Sequence, residues 1–222
     1  MNIQHPGRGP QSNYFREPAP TKSTKPLYYI REILEPQIFT KKVNLGDVGI
    51  ADDGCAILAE LLEKQPEISS MDLRGNRITS HGLQKLIPSL KKIQNLENLA
   101  LNWNDLENSN SLGMDNLAAL VNLPGSTIKY LDLRNSNISH QSSNALESII
   151  KAPNLRKIDL SWNNLGDLSS EAILRAVSYR MSDIEIELKG CMISDQKLKK
   201  ITDSLYKLHS KFAEENERKK IF

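Results

Sequence analysis

The fold class expected for this 222-residue chain is an α/β solenoid of about six strand–helix units, with the strands parallel and side by side. The first observation is a recurring core segment. Its clearest copies are Met71-Asp72-Leu73-Arg74-Gly75-Asn76-Arg77-Ile78, Leu99-Ala100-Leu101-Asn102-Trp103-Asn104-Asp105-Leu106 and Ile158-Asp159-Leu160-Ser161-Trp162-Asn163-Asn164-Leu165. The second is its period. The central leucine recurs at Leu45, Leu73, Leu101, Leu133, Leu160 and Leu188, with spacings of 28, 28, 32, 27 and 28 residues. Segments of this length accommodate a strand, a turn, a helix and a return loop, and units that cannot bury a face alone must stack. The third observation lies in the second half of each unit, where Leu58/Leu62, Leu86/Leu90, Leu146/Ile150, Ile173/Val177 and Ile201/Leu205 stand four apart. Apolar residues at i and i+4 share one helical face, which packs against the strands.

The core pattern is the leucine-rich repeat, LxLxxNxL. Its asparagine position is filled by Val48, Asn76, Asn104, Ser136, Asn163 and Cys191. A primary amide there satisfies backbone groups exposed where the strand turns into its loop. Val48 has no polar group, so the ladder is expected to break at the first repeat. A small residue opens most helices (Gly54, Gly82, Ser142, Ser169), with Lys197 in the last. The third unit fits the register if Glu107-Asn108-Ser109-Asn110-Ser111 is an insertion that bulges from one edge, after which Gly113, Leu117 and Val121 resume the pattern.

The expected organisation is a Pro-rich basic extended tail (1–26), an N-terminal cap (27–38), the repeat domain (39–205) and a polar C-terminal helix or tail (206–222). The tail holds five of the ten prolines and carries Arg8, Arg16, Lys22 and Lys25 against Glu17. Leu27-Tyr28-Tyr29-Ile30 and Ile33-Leu34, ended by Pro36, form the apolar stripe of the cap. Lys207, Lys211, Arg218, Lys219 and Lys220 outnumber Glu214, Glu215 and Glu217 at the other end, so a mildly acidic body lies between basic ends. These charges are too sparse for nucleic acid to be the expected partner. No run of 18 apolar residues occurs, so no membrane-spanning helix is expected. The N-terminus has no apolar signal region, and Cys55 and Cys191 do not form the paired-cysteine caps of extracellular repeats. A reducing, cytoplasmic setting is therefore expected.

No catalytic, cofactor-binding or metal-binding residue is assigned. Phosphate-binding loops, dinucleotide fingerprints, HExxH and CxxC are missing from the chain. His5 and His209 stand near the ends, and His81 and His140 are expected in loops after strands. Asp52-Asp53 reads as an acidic pair favouring a helix N-terminus.

Binding is expected instead. Alternate strand residues project from the concave face in rows: Asn44, Asp72, Ala100, Asp132, Asp159 and Glu187 in one, and Gly46, Arg74, Asn102, Arg134, Ser161 and Lys189 in the next. A third row contains Lys42, Ser70, Asn98, Tyr130, Lys157 and Glu185. Acidic and basic rows adjoin, so their charges either pair with each other or meet a partner. Trp103 and Trp162 occupy one repeat position two strands apart, about 10 Å, with Asn135 between. Each indole is either an interface anchor or packed on the neighbouring repeat. The candidate protein-binding residues are Asp72, Arg74, Trp103, Tyr130, Asp132, Arg134, Asp159 and Trp162, with Arg8 and Arg16 of the tail.

Leu101-Asn102-Trp103-Asn104, Leu131-Asp132-Leu133-Arg134-Asn135 with Ile138-Ser139-His140, and Ile158-Asp159-Leu160-Ser161-Trp162-Asn163-Asn164 resemble the leucine-rich repeat-containing protein 45 family. The resemblance covers roughly 39–215. It implies a ribonuclease-inhibitor-like repeat head and a place at centrosomes and basal bodies. That family continues into coiled coil, whereas Lys207–Lys220 is too short for several heptads, so the chain gives no strong sign of a homo-oligomer. The function implied is a non-enzymatic adaptor or scaffold in a ciliary axonemal, basal-body or other cytoskeletal assembly, partnered by other proteins. The alternative is a regulator, activating or inhibiting a GTPase or another enzyme.

Overall fold

The structure, a computed structural model, describes residues 28–37, 40–63, 67–107 and 112–220. Helix and strand alternate in chain order: α1 (Tyr28–Leu34), β1 (Lys42–Asn44), α2 (Ala51–Leu62), β2 (Ser70–Asp72), α3 (Ser80–Leu90), β3 (Asn98–Ala100) and α4 (Leu112–Val121). They continue as β4 (Tyr130–Asp132), α5 (Ser143–Lys151), β5 (Lys157–Asp159), α6 (Gly166–Tyr179), β6 (Glu185–Glu187) and α7 (Asp195–Lys220). All six strands form one parallel sheet in sequence order, with Val43, Met71, Leu99, Leu131, Ile158 and Ile186 in register. The solenoid expected from the repeat period is what the chain forms.

The core lies between sheet and helices. Leu45, Leu73, Leu101, Leu133 and Leu160 follow their strands directly and are completely buried. The i/i+4 pairs of α2 to α6 are buried too, and in α7 Ile201 is buried while Leu205 is partly so. The small residue near the start of α2 to α6 lets consecutive helices approach. A Cβ on Gly113 would stand 2.7 Å from the Leu106 carbonyl oxygen and 2.9 Å from Cα of Ser80.

Stacked amides run up one edge of the sheet and each serves the repeat before it. The oxygen of Asn76 accepts from the backbone N–H of Val48, Gly49 and Ile50, while its Nδ2 donates to the carbonyls of Leu45, Leu73 and Arg74. Asn104 and Asn163 repeat the arrangement one step along. Val48 contributes no rung, as expected, but the first repeat's loop is not left unpaired, because Asn76 reaches back to it. The ladder's weak rungs are Ser136, whose short hydroxyl donates to Leu101 and Arg134, and Cys191, whose thiol reaches the Leu160 carbonyl.

Carboxylates at the loop-to-helix junctions clip successive repeats together. Asp52 accepts from the N–H and hydroxyl of Thr79, and Asp167 from the N–H of Ser194. Glu107, expected in a bulging insertion, is buried and does the same job: its carboxylate accepts from the Ser139 N–H and the Ser142 hydroxyl. The rest of that insertion, 108–111, lies outside the described residues.

The first strand edge is closed. Gln37 binds Asn44 as a neighbouring peptide would, its Nε2 donating to the Asn44 carbonyl at 3.0 Å and its Oε1 accepting from the Asn44 N–H at 2.6 Å. Helix α1 places Ile30 and Leu34 in the common core. At the other end α7 is one continuous helix of 26 residues, and the boundary drawn between 205 and 206 falls inside it. His209 on α7 bonds the Ile184 carbonyl at 2.9 Å, where a further strand's N–H would otherwise sit, and lies 3.0 Å from Asp183.

Candidate protein-binding surface

A position two residues beyond each core leucine governs the rim of the concave face. It is occupied by Asp47, Gly75, Trp103, Asn135, Trp162 and Gly190, and at all six the backbone is left-handed, with φ of 58°, 63°, 59°, 46°, 64° and 70°. The chain turns there while its N–H still reaches the next repeat: Trp103 donates to Arg134, Asn135 to Ser161 and Trp162 to Lys189. Glycine and asparagine enter this region readily, whereas a side chain with a full Cβ substituent pays about 1–2 kcal/mol. The largest side chain of the alphabet therefore sits, at both Trp103 and Trp162, where the backbone disfavours it.

Both indoles are more than half exposed, Trp103 at 55% and Trp162 at 56%. Trp162 leans over Gly190, where an added Cβ would lie 2.6 Å from its Cε3, and Lys189 Nζ stands 5.6 Å from the ring centroid. The two readings left open for the tryptophans thus combine at Trp162, which rests on its neighbour and still presents a broad face outward.

The charged rows resolve mainly into pairs. Arg134 binds Asp132 at 2.6 Å and lies 3.3 Å from Asp159. Arg74 sits between Asp72 (3.5 Å) and Asp47 (3.7 Å). Lys157 meets Glu185 at 2.6 Å and Glu187 at 3.7 Å. Hydrogen bonding to Asp132 raises the already high pKa of Arg134, and the bond to Glu185 raises that of Lys157 while lowering that of Glu185. Each cluster sets one cation between two carboxylates, so a partner meets a face rich in donors and acceptors with a local excess of negative charge. One acceptor is left over: Asn102, buried between the Arg74 and Arg134 positions, has an Oδ1 without a partner among the described residues.

Of the residues singled out from sequence, Asp72, Arg74, Asp132, Arg134 and Asp159 fall on the concave face, with Trp103 and Trp162 at its rim. Tyr130, 46% exposed, opens β4 and so stands at the opposite end of the strand from Asn135. Arg8 and Arg16 lie outside the described residues. His81 belongs to α3 and His140 opens a 3-10 turn (His140–Ser142), so neither is in an open loop as expected. Asp52 and Asp53 stand in the first turn of α2.

Two residues that sequence reasoning passed over carry much of the local structure. Arg180 is 4% exposed, and its guanidinium donates to the carbonyls of Ile150, Ala152, Leu155, Ser182 and Asp183 and to the Ser182 hydroxyl. Burial, helped by the neighbouring charge of Arg156 and only partly opposed by Asp183, pulls its pKa down to about 10. Gln37 closes the sheet edge. Neither carries a periodic signal, and only Arg180's place at the end of an amphipathic helix hinted at capping. The thiols hold no reactive character: burial pushes Cys55 up to about 12 and Cys191 up to about 11. Among the described residues no group of three or more His, Cys, Asp or Glu stands together to hold a metal ion, and no helix is long and apolar enough to cross a membrane.

Comparison with known proteins agrees with this architecture. The family model described as Leucine Rich repeat matches residues 151–174, from the end of α5 into α6. A curated chicken (Gallus gallus) protein, leucine-rich repeat-containing protein 45, is 34% identical over 65 residues, or 29% of this chain and 10% of that protein. The matched stretch therefore spans about a tenth of the relative's length. Six core segments, a parallel sheet in sequence order, the inter-repeat amide ladder and these matches give this chain the fold of a leucine-rich repeat solenoid.

Proposed function

We propose that this protein is a non-enzymatic adaptor that docks into a centrosomal, basal-body or axonemal assembly through its concave face and the Trp103–Trp162 rim. The observation that carries the reading is the pair of indoles held in left-handed backbone, each more than half exposed. Strain of this kind persists where surrounding structure enforces it and concentrates at functional positions, and tryptophan leads the residues that anchor interfaces. The ion pairs among Arg74, Asp72, Arg134, Asp132 and Asp159 orient polar groups around the anchors. The place in the cell comes from the resemblance to the leucine-rich repeat-containing protein 45 family, and Arg8 and Arg16 make the 1–26 tail a second contact.

The test is to express the tagged full chain in ciliated cells beside the double variant Trp103→Asn/Trp162→Asn. Asparagine already fills the equivalent position at Asn135, so the variant folds with a thermal midpoint close to that of the parent. The parent is expected to sediment with the cytoskeletal fraction and concentrate at basal bodies, and the variant to become diffuse. Equal enrichment of both at basal bodies would sink the role of the rim. Recovery of a soluble nucleotide-binding enzyme instead, with its turnover altered by the parent alone, would replace the adaptor reading by that of a regulator.

A further inference from the structure

The unpartnered acceptor of Asn102 lies in the middle of the concave face. Leu99 and Leu101 are buried in the core, so the alternate residues Asn98, Ala100 and Asn102 belong to the concave side. Ala100 stands in register between Asp72 of β2 and Asp132 of β4, and with only a Cβ it leaves the face lower there. Two residues on, Asn102 is 3% exposed, and its Oδ1 accepts no hydrogen bond among the described residues. The arginines on either side reach away from it. Arg74 Nε lies 3.7 Å from Asp47, one repeat back, and would stand 3.0 Å from a Cβ on Gly46. Arg134 binds Asp132 at 2.6 Å and lies 3.3 Å from Asp159, one repeat on. Asp72 also has an oxygen to spare. Its Oδ1 accepts from the Arg74 N–H at 3.0 Å, but its Oδ2 meets only Arg74 Nη1 at 3.5 Å, too long for a good hydrogen bond.

A buried polar atom without a partner is costly and uncommon, and what completes this one must donate. Charge narrows the choice of donor. Four carboxylates (Asp47, Asp72, Asp132 and Asp159) surround the position, against two guanidiniums, Arg74 and Arg134. Each flanking cluster therefore keeps one negative charge that its arginine does not cancel. A cationic donor gains twice, through a charge-assisted hydrogen bond to the amide oxygen and through attraction to the aspartates. A neutral hydroxyl would satisfy the amide and leave the charge standing. An acidic group would bring another acceptor and repulsion, and an apolar surface would seal the oxygen off from any donor.

We propose that the centre of the concave face is a socket for a lysine or arginine side chain from a basic segment of a partner protein. Its ammonium or guanidinium donates to Asn102 Oδ1 and to Asp72 Oδ2, with Ala100 giving it room. The inference rests on the reading of the concave face as a docking surface and names the chemistry of what docks there. Asn102 then acts by selecting the partner, since its Oδ1 supports nothing within the fold.

Calorimetric titration of the full chain at low salt tests this with three ten-residue glycine–serine peptides. One carries three lysines, one three N-acetyl-lysines and one three glutamates. The expected result is saturable binding of the lysine peptide, at least tenfold weaker binding of the acetylated one and none of the glutamate one. Asn102→Leu keeps the size and removes the acceptor. It should weaken the lysine peptide at least tenfold while its thermal midpoint stays at or above the parent's, because no internal hydrogen bond to Oδ1 is lost. Asp72→Asn, a change of charge alone, should weaken it at least threefold. Lysine-peptide binding that Asn102→Leu leaves unchanged would be diffuse attraction and would overturn the socket. A preference for the glutamate peptide, or no binding of any, overturns it equally. If no peptide binds and the double tryptophan variant still leaves the basal body, the docking surface stands and only the cationic socket falls. If the lysine peptide binds through Asn102 while that variant stays at the basal body, the socket stands and the role of the rim falls.

Discussion

At the scale of single residues, the asparagines of the ladder do more than their period implies. Four of the six side-chain hydrogen bonds of Asn76 reach the first repeat and two brace its own, and the residue is completely buried. A buried backbone group left unpaired costs about 1–3 kcal/mol. Asn76→Ala is therefore expected to lower the unfolding free energy by at least about 2 kcal/mol in urea titrations, several bonds being lost together. Asn98→Ala, which removes an amide from the solvent side of β3, should stay within about 0.5 kcal/mol; equal losses at the two positions would mean that the ladder is not what matters. The ladder positions were legible in the sequence because a polar residue recurs at a fixed offset from buried leucines. The direction of service was not, because which neighbour an amide reaches depends on the hand of the stack. The same limit hid the backbone of Trp103 and Trp162, since no periodicity encodes the sign of φ.

At the scale of elements, the sequence determines helices and strands through spacing, while their junctions depend on unique residues. The buried i/i+4 pairs and the register of the strand centres were readable from the chain alone. The junction of α5 with the following loop was not. There Arg180, contributed by the end of α6, gathers the carbonyls of Ile150, Ala152 and Leu155. Replacing it by methionine keeps the bulk and strips the donors, so Arg180→Met should destabilise by about 3 kcal/mol or more. Arg180→Lys, with three donors on a point charge, should recover part of this. The check is chemical denaturation of the three proteins; a methionine variant as stable as the parent would show that the carbonyls find water instead. Glu107 teaches a similar lesson: an acidic residue among Asn and Ser reads as surface, and only the position of Ser139 and Ser142 in the next repeat gives it a buried role.

At the scale of the whole molecule, the two ends of the sheet differ. Gln37 and α1 close the first edge. At the last edge His209 occupies the Ile184 carbonyl, while the N–H groups of Leu188 and Gly190 have no partner among the described residues. Stability in a stack of repeats is a sum of intrinsic and neighbour terms, so a repeat with one neighbour opens first. Native-state hydrogen exchange is expected to show protection highest in β2 to β4 and falling toward β6. Protection of β6 equal to that of β3 would contradict this polarity. The stack and its core thus followed from the repeat period, whereas the treatment of its ends rested on Gln37 and His209, which occur once each and have no repeat to announce them.

The left-handed rim position has a consequence for how such a scaffold acquires new binding. Its occupant points away from the core, tolerates aspartate, glycine, asparagine or tryptophan, and recurs once per repeat at a constant interval. The rim is in effect a row of six sockets whose contents are exchangeable without repacking the interior. Transplanting a tryptophan from one socket to the next would shift the grip by a single strand and retune the length of what is held. Recognition on this architecture can therefore drift quickly while the fold beneath it stays still.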